Sequence, residues 1–130
     1  MIVADSSIWI DYLKGGKNKK MNTFHFHLHN NDIALIPTIM QEVLQGFRYE
    51  KEAEKLKKEM LQLFILPLDP VTAAIQAAGL NRSLRAKGIT IRKSQDCLIA
   101  YYCLHFDLPI LYLDKDFDFI SKEFPLRTIE

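Results

Sequence analysis

Five short apolar runs, separated by longer stretches of helical periodicity, set the terms on which this chain folds. They are Met1–Ala4, Ile33–Ile36, Ile65–Leu66, Pro109–Leu113 and Leu126–Ile129. Strands that alternate with helices in this way build a mostly parallel sheet covered by helices. The expected architecture is an α/β three-layer sandwich, with a mostly parallel sheet of about five strands flanked by helices. With 130 residues, residues 1–130 are expected to form a single domain.

The intervening helices follow from spacing. Ser6–Lys14 directs Ile8, Tyr12 and Leu13 inward, the polar GGKNKK stretch breaks the pattern, and Met21–His29 resumes it. Pro37-Thr38 opens a third helix with Thr38 as cap and Gln41 as its partner. Tyr49–Phe64 carries Ala53, Leu56, Met60 and Phe64 on one face. Asp69-Pro70 starts a helix whose buried stripe is expected to be Val71, Ala74, Ile75 and Ala78, ending near Gly88. Ser94 is expected to cap a helix bearing Leu98, Ile99, Tyr102, Cys103 and Phe106, and Phe117–Lys122 is a last short one.

The net charge of +1 creates no global basic field, so any nucleic-acid surface must be a local patch. Cys97 and Cys103, six positions apart in one helix, suit neither a disulfide nor a metal site and fit a reducing cytosol. No apolar run approaches the roughly 20 residues of a membrane span, and the N-terminus lacks a secretory pattern. A cytoplasmic protein is expected.

The chemistry lies in isolated acids. Asp5 follows the first strand, Glu42 lies early in the helix after the second, Asp96 sits in the first turn of SQDCLIAYY, and Asp114 follows ILYL. In a parallel sheet the strand carboxyl ends share one edge, where ligand sites form. Each acid alone could be a helix cap, a favourable first-turn charge or a solvated residue. Together they converge, and clustered carboxylates repel unless a cation is present. Oxygen donors without sulfur or imidazole suit Mg²⁺ or Mn²⁺, ions that support phosphodiester hydrolysis by polarising phosphate and activating water. Of the three acids in LDKDFDF, Asp114 is favoured for the cluster and Asp116 is the second choice. Asp118 is expected to face solvent. Asp11, nearly two turns into its helix, is expected to be a surface acid.

The stretches VADSSIWIDYL, IPTIMQEVLQG, SQDCLIAYYCL and LPILYLDKDFDFI resemble, in order and over essentially the whole chain, the PIN-domain family and within it the VapC-type toxins of VapBC toxin–antitoxin modules. The resemblance implies a Mg²⁺- or Mn²⁺-dependent endoribonuclease, usually a homodimer, inhibited by a VapB-type antitoxin that itself binds operator DNA. It implies Asp5, Glu42, Asp96 and Asp114 as catalytic, metal-holding acids, with Ser7 supporting the first and Asp116 standing close behind. Tyr112 occupies a position where many relatives carry Thr or Ser, and Tyr101-Tyr102 stand where small residues are common.

Other features carry less. His25, His27 and His29 do not share a helix face and have no ligand at fitting spacing, so surface histidines are expected. Lys17, Lys19 and Lys20 form one basic cluster. Arg82, Arg85, Lys87, Arg92 and Lys93 form another, of which Arg82, Arg85, Arg92 and Lys93 are candidates to track an RNA backbone. Trp9 is expected in the core or a dimer contact. A phospho-accepting receiver domain fits poorly, since no lysine ends ILYL. A catalytically silent PIN-like scaffold that binds RNA or protein is the rival reading.

Overall fold

The computed structural model describes residues 1–130. The strands are β1 (Ile2–Ala4), β2 (Ile33–Leu35), β3 (Phe64–Ile65), β4 (Ile110–Leu111) and β5 (Thr128–Ile129). They form one sheet in the order β3-β2-β1-β4-β5, with every neighbouring pair parallel. The helices are α1 (Ser6–Leu13), α2 (Lys19–His29), α3 (Pro37–Leu44), α4 (Glu50–Met60), α5 (Pro70–Ala86), α6 (Ser94–Phe106) and α7 (Asp116–Glu123). The expected α/β architecture is present.

Two features of the topology position the site. β1, β2 and β4 are buried throughout, whereas the edge strands β3 and β5 have only two residues each and stay largely exposed. The chain also winds outward from β1 through β2 to β3 and then returns to the other side of β1 for β4 and β5. That reversal between β1 and β4 is a topological switch point, where a crevice opens beyond the strand ends.

The core joins residues of β1, β2 and β4 to inward faces of the helices, among them Ile8, Phe24, Ile39, Met60, Leu84, Ile99 and Phe117. Trp9 is only 2% exposed and meets Phe24 edge-on at 5.0 Å between ring centroids, so it is a core residue. Burial of such large rings is among the strongest contributions to a small core.

Several local expectations change. α3 begins two residues earlier than a Thr38 cap would place it: Ile36 is the N-cap, Pro37 the first helical residue, and no side chain caps the end. Ser94 is likewise inside α6, behind an N-cap at Lys93 without a side-chain bond. α2 starts at Lys19 rather than Met21, because Asn18 caps it by accepting from the Met21 N–H at 2.9 Å. α4 stops at Met60, so Phe64 belongs to β3 and is exposed, and Leu13 also faces outward.

The buried stripe of α5 differs most. Ala73, Ala77 and Leu84 face inward, while Val71 and Ile75 are 65% and 63% exposed. α5 packs chiefly on α6, and small side chains at 73 and 77 let the two helices approach closely. Ile75→Lys should therefore change stability by no more than about 0.5 kcal/mol. Ala77→Leu, which forces volume into the packing between these helices, should cost about 1–3 kcal/mol. Urea denaturation of both variants measures the contrast.

Candidate active site

Asp5 is the first residue beyond β1. Its backbone N–H still donates to the Leu111 carbonyl at 2.9 Å, which places it at the switch point. It also caps α1: one carboxylate oxygen accepts from the Ser7 N–H at 3.2 Å and from the Ser7 hydroxyl at 2.6 Å. Ser7 Oγ in turn accepts from the Leu113 N–H at 3.1 Å. The Ser7 hydroxyl thereby joins the end of β1 to the segment that follows β4.

Asp96 stands in the first turn of α6 and is 2% exposed. Asp114 and Asp116 stand after β4, and oxygens of Asp96, Asp114 and Asp116 lie within 4.8 Å of one another. The turn that unites the last two is local: Asp114 Oδ1 accepts from the Asp116 N–H at 3.0 Å. This Asx bond folds residues 114–116 back so that both acids face the crevice. Asp116 is as buried as Asp96, and Asp114 and Asp116 both lie in the same group of carboxylates as Asp96. Glu42, half-buried in α3, feels the charges of Asp5 and Asp114.

The electrostatics of the cluster are unfavourable on their own. Burial, and then the charges of Asp5, Asp114 and Asp116, push the Asp96 carboxyl up to about 8. Burial raises Asp5 as well, against the bonds from Ser7. Glu42 is raised by burial and then by Asp5, with Lys93 opposing. Asp5 Oδ1, Asp96 Oδ2 and Glu42 Oε1 are buried without any hydrogen-bond partner. An unpartnered buried carboxylate oxygen is costly, and oxygens of this kind from different elements call for a shared cation.

Two of the four basic candidates reach the acids. Arg92 lies 3.5 Å from Asp114 and 3.8 Å from Asp116, and its backbone N–H donates to Asp116 at 3.3 Å. Lys93 lies 3.5 Å from Asp114. Burial pulls the Lys93 ammonium down, yet Asp114, Asp96 and Asp5 hold it above its usual range. Arg82 and Arg85 line a separate cleft along α5 with Asn81 and Ser94. The basic cluster is thus two groups.

The histidines do not converge. His27 pairs with Asp32 at 2.9 Å, and Asp32 also takes the N-terminal ammonium at 3.1 Å. His25 packs on Tyr12 and Phe24. Asp118 is exposed, but its carboxylate accepts from the Tyr112 hydroxyl. Asp11 lies half-buried beneath the loop before α2 and accepts from Asn18 Nδ2 at 3.0 Å. A Cβ at Gly16 would fall 2.2 Å from the Asp11 carboxylate, so this loop is built around that acid.

The sequence profile of the PIN domain matches residues 2–123. The chain belongs to the PIN-domain family. It is 29% identical over 124 residues to the VapC ribonuclease Mb1587 of Mycobacterium bovis, covering 94% of this chain and 92% of that one. Among solved structures it is similar to VapBC2 from Rickettsia felis, bound to a promoter DNA fragment, with a TM-score of 0.74 at 19% identity over 99% of this chain and 98% of that chain. It is also similar to VapBC-1 from nontypeable Haemophilus influenzae, with a TM-score of 0.73 at 18% identity over 100% and 98% of the two chains.

The residues of this PIN domain fit a divalent cation. Every donor facing the crevice is a hard oxygen, the unpartnered oxygens of Asp5, Asp96 and Glu42 provide free lone pairs, and Asp114 and Asp116 supply further negative charge. No helix is long and apolar enough to cross a membrane.

The raised Asp96 carboxyl makes cation-free stability depend on pH. Its folded-state value is above the unfolded one, so between about pH 4 and pH 8 the folded chain binds the extra proton. Stability is then greatest at the acid end of that window and falls as pH rises through it, by at most about 1.4 kcal/mol per pH unit. Asp96→Asn should flatten this slope and make the cation-free protein more stable than wild type at pH 8. Urea denaturation in EDTA across the window measures both effects.

Proposed function

We propose that this chain is a divalent-cation-dependent endoribonuclease, the toxin half of a type II toxin–antitoxin pair. The observation that carries this reading is the set of unpartnered, buried oxygens on Asp5, Asp96 and Glu42 at the switch point of a PIN fold. The ribonuclease name of its 29% identical relative supports RNA as the substrate.

Asp5 and Asp96 are the principal cation holders, with Glu42, Asp114 and Asp116 completing the negative shell. Mg²⁺ is the preferred ion and Mn²⁺ its substitute, because both suit carboxylate and water oxygens. When bound, such an ion polarises the scissile phosphate and lowers the pKa of water. Glu42, half-exposed and with its carboxyl raised by burial and by Asp5, orients the attacking water and takes its proton. Ser7 keeps Asp5 in place through the 2.6 Å bond from its hydroxyl. Arg92 and Lys93, whose side chains are mostly exposed, turn from the acids to the RNA backbone. Arg82 and Arg85 extend that track along α5.

The partner is a VapB-type antitoxin that carries the operator-DNA contact, so DNA reaches this chain only through it. The VapBC assemblies among the similar structures support this pairing. A homodimer in the cytoplasm completes the reading, and the free, buried thiols of Cys97 and Cys103 suit a reducing compartment.

The purified protein should cleave single-stranded RNA with Mg²⁺, and EDTA should abolish cleavage. Asp96→Asn should lower the rate by about 100-fold or more while leaving the fold intact. Equal activity of that variant contradicts the reading. Cation binding without cleavage of any RNA favours the silent scaffold instead. Arg92→Ala with Lys93→Ala should weaken RNA binding and reduce its salt slope by roughly 0.7 for each phosphate that is no longer neutralised.

A further inference from the structure

One peptide unit beside the acids is held at both of its polar groups. The Leu113 N–H donates to Ser7 Oγ at 3.1 Å, and the carbonyl of the same peptide, that of Tyr112, accepts from Lys20 Nζ. Asp114 is the next residue, so the orientation of this peptide fixes where its carboxylate begins. Ser7 also bonds Asp5, so the clamp ties an acid at the end of β1 to one after β4.

Lys20 comes from a distant part of the chain and is itself held. Its ammonium lies 4.8 Å from the centroid of the Tyr112 ring, and the Tyr112 hydroxyl donates to Asp118 on α7. Lys20 is the second residue of α2, whose cap Asn18 accepts from the Met21 N–H and donates to Asp11. The bonds therefore run from Asp11 through Asn18 to α2, and through Lys20 to the Tyr112–Leu113 peptide. A charged donor on a backbone carbonyl makes a stronger, more directional bond than a neutral one. The aromatic face beneath adds attraction for the same ammonium.

We propose that Lys20 is a positioning residue of the active site. It locks the Tyr112–Leu113 peptide from one side while Ser7 holds it from the other, and so presents Asp114 and Asp116 to the cation. Tyr112 serves as the platform for the lysine, with Asp118 fixing its ring. This inference rests on the reading of the acids as a cation site. It also gives two residues outside the cluster, Asp11 and Asp118, their work.

The test compares wild type with Lys20→Met, which keeps the length and loses the charge and donor, and with Lys20→Arg, which keeps both. Mn²⁺ affinity is measured by calorimetry, and exchange of the Leu113 amide by NMR on cation-free protein. In Lys20→Met, Mn²⁺ binding should weaken by about 10–100-fold and the Leu113 amide should exchange about tenfold faster or more, with the melting temperature little changed. Lys20→Arg should stay near wild type. Asn18→Ala, which acts on Lys20 only through the start of α2, should give a smaller shift in the same direction.

Wild-type values of both quantities in Lys20→Met overturn the proposal. So does a loss confined to binding of a labelled single-stranded RNA with a reduced salt slope, which makes Lys20 a phosphate contact. A wild-type protein that binds no Mn²⁺ overturns the cation reading and the positioning role together. The amide exchange still reports in that case whether the clamp exists, so the two failures are told apart.

Discussion

Mutual repulsion among buried carboxylates is the constraint around which this protein is organised. Asp5, Asp96 and Asp116 are each at most 3% exposed, and Asp114 and Glu42 adjoin them. Such a cluster survives folding only if charge is compensated. Each element at the crevice contributes part of the compensation. Asp5 receives the Ser7 bonds at the N-terminus of α1, Asp96 and Asp116 sit in helix first turns where the dipole favours anions, and Arg92 and Lys93 cover the Asp114 side. The remainder falls on Asp96, whose carboxyl holds its proton to about pH 8. Asp5 Oδ1, Asp96 Oδ2 and Glu42 Oε1 are left with no compensating partner in the chain itself.

Geometry is enforced from behind the acids. The sheet supplies only the ends of β1 and β4, while the segment after β4 has no ladder of its own to fix it. Ser7 and Lys20 do that by holding opposite groups of one peptide, and the Asx bond at Asp114 turns the chain so that Asp116 returns to the site. A loop carrying two acids is thereby made as definite as a strand end. Precision of this kind separates a cation site from a patch of surface acids.

Much of this is legible in the sequence because it is local. Short apolar runs ending at an acid mark both a strand and an acid just beyond it, and Asp5 and Asp114 lie near enough for Glu42 and Asp96 to feel their charge. The features that sequence leaves hidden depend on partners. Hydrophobicity alone favours Val71 and Ile75 for the α5 stripe, whereas close packing on α6 selects the smaller Ala73 and Ala77. Thr38 and Ser94 are good capping residues that fall inside their helices, two positions and one position past the actual caps, because Pro37 and Ser94 already have helical geometry. Asp116 ranks below Asp114 on sequence because the turn that unites them is a side-chain bond with no periodic signal. Lys20 meets Tyr112 across 92 positions, a pairing that no single sequence reveals. Asp11 reads as a surface acid because its partners are a glycine loop and the cap of the next helix.

If the crevice acids share one cation site, its occupation must displace the proton that burial and the neighbouring acids keep on Asp96. Calorimetric titration of the protein with Mg²⁺ at pH 7, in two buffers of different ionisation enthalpy, counts that proton directly. Saturable binding accompanied by proton release is expected, with that release vanishing in Asp96→Asn. Binding with no proton released, or no binding at all, would contradict it.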